Sequence, residues 1–516
     1  MPESRRASGT GTRSAVAAED PKTAQCSAEE WVSRVPDGGW GWLVVGGSFI
    51  TTMLMPLLNL GFGVIFSRYL LEEGSSSTIH AWLFNVHSFM WNVMGLMVRP
   101  LAQEFGWRVV ANFGVLLVFV SLVVSAFTPS PSFLFFSFSL LSGTGGGLVV
   151  CMSYIIVPSY FERRRGLANA MMMAGGCTGQ VVGPPLIRLL QDEYGFRGAT
   201  LLLGAILLNC CIGTAFFHPV EWHLKKLPQP AKPPWPSPSP AKGSEDAECS
   251  GDEEEVEWVS LVTQARSRGE DGTHQDGSVS TAERQGTCQP MAGPRRGWGL
   301  CGLLVSVARS TWADLAILRS PRACIIALGC CFFIIGYFNF LMMVPFAMQT
   351  AGHSLADATY CLSASGITNL LMRLSASALS DCAWFNMRVV YMSGLALTSA
   401  SILVFPLLGS LPWMMAAMVT FGLGVGTTMG LYNLSMVRFM GLENLAPVFG
   451  ASSFALAVGF ITVGPLIGVI RDVSGSYTVS MWILSGYVFT GFLLWVFMPA
   501  AQAYDRRRAE AKAVEL

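Results

Sequence analysis

DATYCLSASGITNLLMRLSASALSDCAWFNMR, residues 357–388, is long and apolar enough to cross a bilayer, yet it holds Arg373 well inside its apolar run. Counting about 1.5 Å per residue back from Asp381, where polar sequence resumes, places Arg373 roughly 12 Å from the nearer end of the span. That is close to the middle of a hydrocarbon core about 30 Å thick. An arginine at such depth is costly and faces a cavity or a partner. At helical spacing Gly366, Asn369, Arg373, Ser377 and Ser380 share one face, while Ile367, Leu370, Leu371 and Leu374 share the other. One side suits lipid or neighbouring helices, the other something polar.

The whole chain has the same character. Of its 516 residues 52% are hydrophobic and 13% charged, against roughly 25% charged in a soluble domain. Apolar stretches of bilayer length fall at about 40–66, 80–101, 108–127, 131–156, 166–190 and 198–217, and again at 323–349, 358–380, 388–408, 412–438, 446–470 and 477–499. The expectation is an all-α membrane protein with twelve transmembrane helices in two six-helix bundles. Five regions follow: a disordered cytoplasmic tail (1–36), a first bundle (37–218), a largely disordered cytoplasmic linker (219–320) carrying PQPAKPPWPSPSP and Glu253, Glu254 and Glu255, a second bundle (321–499) and a cytoplasmic tail (500–516). With the N-terminus inside, the inner side collects Arg108, Arg163, Arg164, Arg165, Arg388, Arg438 and the C-terminal cluster, and the outer side Arg68, Arg188, Arg197 and Arg471. This bias fits the positive-inside rule and places both termini in the cytosol.

The halves repeat. Arg108-Val109-Val110 corresponds to Arg388-Val389-Val390, Gly143, Gly145 and Gly147 to Gly422, Gly424 and Gly426, and Gly183, Pro184 and Asp192 to Gly464, Pro465 and Asp472. Three pairs in one order and register point to parallel six-helix halves. The glycines at 143, 145, 146, 147 and at 175, 176, 179, 183 read as close helix packing, since no strand precedes them to make a phosphate loop. Pro184-Pro185 is expected to bend or break the fifth span, for packing or for gating. Arg163, Arg164 and Arg165 read equally as a topology signal or as a gate with Asp381 on the same side. His87, between Asn85 and Asn92, reads as a member of a buried polar network, with a protonation site as the alternative. No nucleophile with a base, no paired carboxylates and no metal cluster are found in or near the spans, and thirteen scattered cysteines show no zinc spacing. The reading is therefore of no enzyme, no metal, no cofactor and no nucleic-acid partner; lipid and a small solute are the partners.

Asp37-Gly38-Gly39-Trp40-Gly41-Trp42, followed by Leu43-Val44-Val45, is an interfacial anchor with glycines for a tight turn. It resembles a signature of the monocarboxylate transporter family (solute carrier family 16) within the major facilitator superfamily. Tyr160, Phe161, Arg163, Arg164, Arg165, Leu167, Ala168, Ala174 and Gly175 resemble the family's second signature. The resemblance covers all twelve spans and implies the major facilitator fold and secondary transport by alternating access at the plasma membrane. In the family's proton-coupled lactate and pyruvate carriers an arginine of the eighth span binds the substrate carboxylate, and Arg373 matches it. Those carriers also place an aspartate four residues earlier and a lysine in the first span. Here these positions hold Asn369 and Leu60, and an asparagine cannot titrate. The resemblance thus implies facilitated transport of a monocarboxylate or related carboxylate-bearing solute, an organic anion or amino-acid-like molecule, by a divergent member, with Arg373, Asn369, Asn59 and Tyr337 lining the substrate site. Proton symport, and a non-transporting receptor or scaffold signalling through the linker, are the alternatives. Several family members need a single-span glycoprotein partner to reach the surface.

Overall fold

The computed structural model describes residues 31–34, 36–161, 164–223, 225–228, 302, 305, 309, 312, 315–380, 385–441 and 444–514. The helices described below belong to one compact unit, 33–226 with 293–516. Two four-residue strands, Trp31–Arg34 and Lys225–Pro228, pair with each other in stretches expected to be disordered tail and linker. The rest of the described body is helical.

Every stretch read as a span is helical. Nine helices are long and apolar enough, among the described residues, to cross a membrane on length and composition alone. One of these, Gly166–Ala215, carries the fifth and sixth spans together. The second span, Ser77–Phe105, and the eighth, Leu355–Leu379, are helices of sufficient length whose polar residues lower their mean hydropathy. The remaining spans are Trp107–Ala126, Pro131–Ser159, Pro321–Thr350, Met387–Leu407, Leu411–Met440, Pro447–Ser474 and Tyr477–Val496.

Two interruptions shape the first bundle. The first span is discontinuous: Trp40–Leu54, a short turn Leu57–Leu60, then Phe62–Glu72. Pro56 has no N–H for the ladder, and Gly61 follows five residues on. The second interruption separates the fifth span from the sixth. Pro184 and Pro185 both lie inside the helix Arg165–Leu208, whose one non-helical residue is Gly195, with φ 65° and ψ −177°. A positive φ suits glycine, so the chain turns there from the fifth span into the sixth, while the prolines expected to bend or break the fifth span leave its helical backbone unbroken. Before the break, Gly175 and Gly179 pack on Phe49 and Met53 of the first span; after it, Gly204 packs on Leu122 of the third.

The internal repeat is physical. A Cβ on Gly145 would lie 2.5 Å from the Gly114 carbonyl oxygen, and one on Gly424 2.8 Å from that of Gly394. Each half therefore crosses its third and fourth spans at a glycine pair, the close approach that small residues permit. Gly145→Val is expected to melt several degrees lower than wild type in detergent, because overpacking of about 1–3 kcal/mol meets backbone that cannot yield. Gly166→Ala, with nothing within 4 Å of its Cβ position, is expected to match wild type in the same thermal assay.

The bundles meet toward the face opposite the chain termini, here the far face. Ser67 accepts from Gln349 at 2.7 Å, Asn85 and Asn339 exchange hydrogen bonds at 2.9 and 3.2 Å, and Asp472 reaches Ser77 and Thr78. Toward the terminal face, Val44, Val98, Val110, Met152, Ile156 and Phe161 form a buried cluster drawn from the first half alone.

Candidate substrate site

The eighth span starts on a reciprocal cap in which Ser354 and Asp357 satisfy each other's backbone N–H groups. Its two faces divide as the spacing requires. Ile367, Leu371 and Leu374 are 48, 59 and 46% exposed and look outward, while Gly366 and Asn369 are buried. Arg373 is half-buried, with Gly430 and Gly426 of the tenth span packed on the backbone of Arg373 and Asn369. Its charge reaches Tyr154 of the fourth span and Tyr337 of the seventh. The cation is therefore within electrostatic reach of groups from both halves. In the repeat its counterpart is Gly95, which packs on Cys151 as Gly430 packs on Arg373, so one half alone supplies the charge.

Gln180, on the fifth span, is the residue that the sequence reading missed. Its Oε1 accepts from Asn369 Nδ2 at 3.0 Å and from the Tyr337 hydroxyl at 3.3 Å, and its Nε2 donates to Ser365 Oγ at 3.2 Å. Cys177, one turn earlier, points its thiol at Asn369 Oδ1, 3.9 Å away. Gln180, Asn369, Tyr337 and Ser365 are all buried, where an unmet polar group would cost more than a hydrogen bond contributes. The structure thus gathers Arg373, Asn369 and Tyr337 around a bridge between bundles. Asn59 is in the turn of the interrupted first span, accepting from Ser88 Oγ at 3.2 Å. The signal for Gln180 was its polarity amid the glycines of that span.

The expected gating residues are placed differently. His87 lies inside the first bundle, its Nδ1 at 2.9 Å from Ser142 Oγ and its ring stacked on Phe138 at 4.8 Å. Arg164 is exposed just before the fifth span. Arg163 and Asp381 lie outside the described residues, and only the backbone of Arg165 is described.

The two signature motifs pack on one another at the terminal face. The ring of Phe161 lies 5.0 Å from that of Trp42, and a Cβ on Gly41 would sit 3.0 Å from Phe161. Trp40 stacks on His218 at 4.6 Å and His223 at 5.2 Å, whose ring nitrogens are 3.3 Å apart, and the Tyr160 hydroxyl donates to the His218 carbonyl at 2.8 Å. Burial, then Arg108 and His223, push His218 below the usual imidazole value.

At the far face, Asp472 Oδ1 accepts from Ser77 N–H at 3.0 Å, and Oδ2 from Thr78 N–H at 2.8 Å and the Thr78 hydroxyl at 2.6 Å. One bundle so caps a helix of the other. Its repeat mate Asp192 pairs instead with Arg188 on its own helix, at 3.3 Å.

Residues 42–464 match the family model described as Major Facilitator Superfamily. The chain belongs to the major facilitator superfamily. It is a multi-pass membrane transporter and not an enzyme. It is 24% identical to human monocarboxylate transporter 12 over 463 residues, covering 89% of this chain and 80% of that one. Mouse monocarboxylate transporter 9 is 25% identical over 482 residues, covering 89% and 93%. Chicken monocarboxylate transporter 4 reaches 34%, over 188 residues that cover 36% of this chain and 40% of that protein. These similarities agree with a divergent member of the monocarboxylate transporter family within the superfamily.

Proposed function

We propose that the chain carries monocarboxylates or related carboxylate-bearing organic solutes by facilitated alternating access, with Arg373 holding the carboxylate. The observation that carries this reading is the placement of Arg373, half-buried in the eighth span one turn after Asn369, whose amide is bonded to Gln180 of the other half. A guanidinium can grip a carboxylate through two parallel hydrogen bonds, and the names of the similar transporters support a carboxylate over other anions. The basic residues argue for cytoplasmic termini, and the resemblance to monocarboxylate transporters supports a plasma-membrane carrier. With that orientation, bundles joined at the far face make this the inward-facing state.

Proton coupling is disfavoured by Asn369, whose amide donates to Gln180 and has no proton to exchange. The described acidic residues of the body, Asp37, Glu72, Glu73, Glu104, Asp192, Glu193, Asp357, Asp472 and Asp505, stand at span ends. Initial uptake into cells is therefore expected to change less than about twofold between about pH 8 and pH 6, since a substrate carboxyl near pKa 4 stays ionised throughout. A steep rise on acidification, with cytosolic acidification, would show proton symport. Uptake of labelled lactate, pyruvate, phenylalanine and creatine tests the substrate class, and surface labelling with and without a co-expressed single-span glycoprotein tests that partner.

A further inference from the structure

We propose that Gln180 Oε1 occupies, in the empty carrier, the position that a substrate carboxylate oxygen takes in the loaded one, so that substrate arrival releases a bond between the bundles. The inference rests on the carboxylate reading of Arg373. A carbonyl oxygen has two lone pairs, and both donors to this one come from the other half: Asn369 Nδ2 at 3.0 Å and the Tyr337 hydroxyl at 3.3 Å. Two convergent donors beside a guanidinium are what a carboxylate requires. Arg373 follows Asn369 by four residues, so the two side chains rise from one helix face about 5–6 Å apart at Cβ, and the Arg373 charge also reaches Tyr337.

A carboxylate is the stronger acceptor, its charge-assisted hydrogen bonds being roughly twice as strong as neutral ones. Drawn to Arg373, it takes the two donors from the Gln180 amide. Cys177 favours this arrangement by facing Asn369 Oδ1, which leaves Nδ2 directed at Gln180. The bond from Gln180 Nε2 to Ser365 persists, but the bridge keeps one link of three. The loaded bundles then separate at lower cost, which ties binding to movement through differential contacts in the two states. The pairing needs an amide at 369: a carboxylate there would offer Gln180 Oε1 no donor. Gln180 is a positioning residue that competes with the substrate.

The test uses the full chain, purified into liposomes, with labelled lactate, pyruvate, phenylalanine and creatine as probes. Gln180→Met, matched in length but without the acceptor, is expected to lower KM about fivefold or more, as loss of one or two competing hydrogen bonds implies, and to lower the maximal rate. Gln180→Glu, which tethers a carboxylate near Arg373, is expected to raise KM about tenfold or more by the stronger charge-assisted competition. A purely packing role would move both variants the same way. Stabilisation of the purified protein against heat by the same acid supplies a second readout that needs no turnover, larger than wild type in Gln180→Met and smaller in Gln180→Glu. If wild type carries none of the probes, the carboxylate reading falls and this proposal with it. If Arg373→Ala is inactive while Gln180→Met keeps wild-type KM and stabilisation, or both variants shift KM in one direction, this proposal alone falls.

Discussion

Arg373→Ala is expected to reduce carboxylate uptake by a factor of about a hundred or more while the protein still reaches the membrane. The side chain is half-buried, and Gly426 and Gly430 pack on the backbone of its helix and not on the guanidinium, so truncation leaves the helix contacts in place. A partly desolvated, bidentate pair of charges is worth roughly 2–5 kcal/mol when one partner is removed, and each 1.4 kcal/mol is tenfold. Arg373→Lys is expected to recover only a small part of the rate, because an ammonium keeps the charge but loses the planar fork. Uptake in cells, scaled to surface protein by biotinylation, reads both variants. Wild-type rates in Arg373→Ala would remove the residue from the site.

The second large effect is expected at the far face. Ser76 caps the N–H of Ile79 in the second span, while the N–H groups of Ser77 and Thr78 are taken by Asp472 from the other bundle. The first turn of a helix has N–H groups with no acceptor inside it, and a carboxylate there also meets the positive end of the helix dipole. Opening the far face breaks three hydrogen bonds to one charge. Asp472 is 24% exposed, so solvent weakens them, yet hydrogen bonds to charged groups still contribute about 1.5 kcal/mol or more each. Asp472→Ala is therefore expected to shift the balance toward far-face opening by roughly tenfold or more. A cysteine at Ala81, buried against Gly468, reports the shift as faster labelling by an impermeant maleimide. Asp192→Ala, which removes a pair confined to one helix, is expected to label as wild type does. Equal labelling in the Asp472 variant would show that the cap does not hold the face shut.

Most of the scaffold was legible because the bilayer imposes its length on every apolar run. The repeat could be read from Gly145 and Gly424, whose carbonyl contacts with Gly114 and Gly394 show why only glycine fits. Arg373 announced itself by charge in an apolar context. What could not be read depends on partners distant in sequence. Asp472 was paired with Asp192 by the repeat, but two of its three donors are backbone N–H groups, which carry no side-chain signal. Gln180 is uncharged and sits among glycines read as packing, so its polarity there, the one local signal, does not tell a bridging amide from a buried amide of the core. The helix stays unbroken at Pro184-Pro185 because a membrane helix tolerates proline when neighbours satisfy the freed carbonyl, whereas the turn from the fifth span into the sixth, at Gly195, needs a φ that glycine adopts readily.

The most direct test of a carboxylate held by Arg373 is counterflow by the purified protein in liposomes, comparing each labelled acid of the panel with its own amide. The acid and the amide have nearly the same shape and differ in the charge that a guanidinium can pair. Efficient exchange of an acid, with its amide slower by a factor of about a hundred as the loss of a paired charge implies, is the predicted result. Equal exchange of acid and amide, or undiminished exchange of the acid in Arg373→Ala, would contradict it.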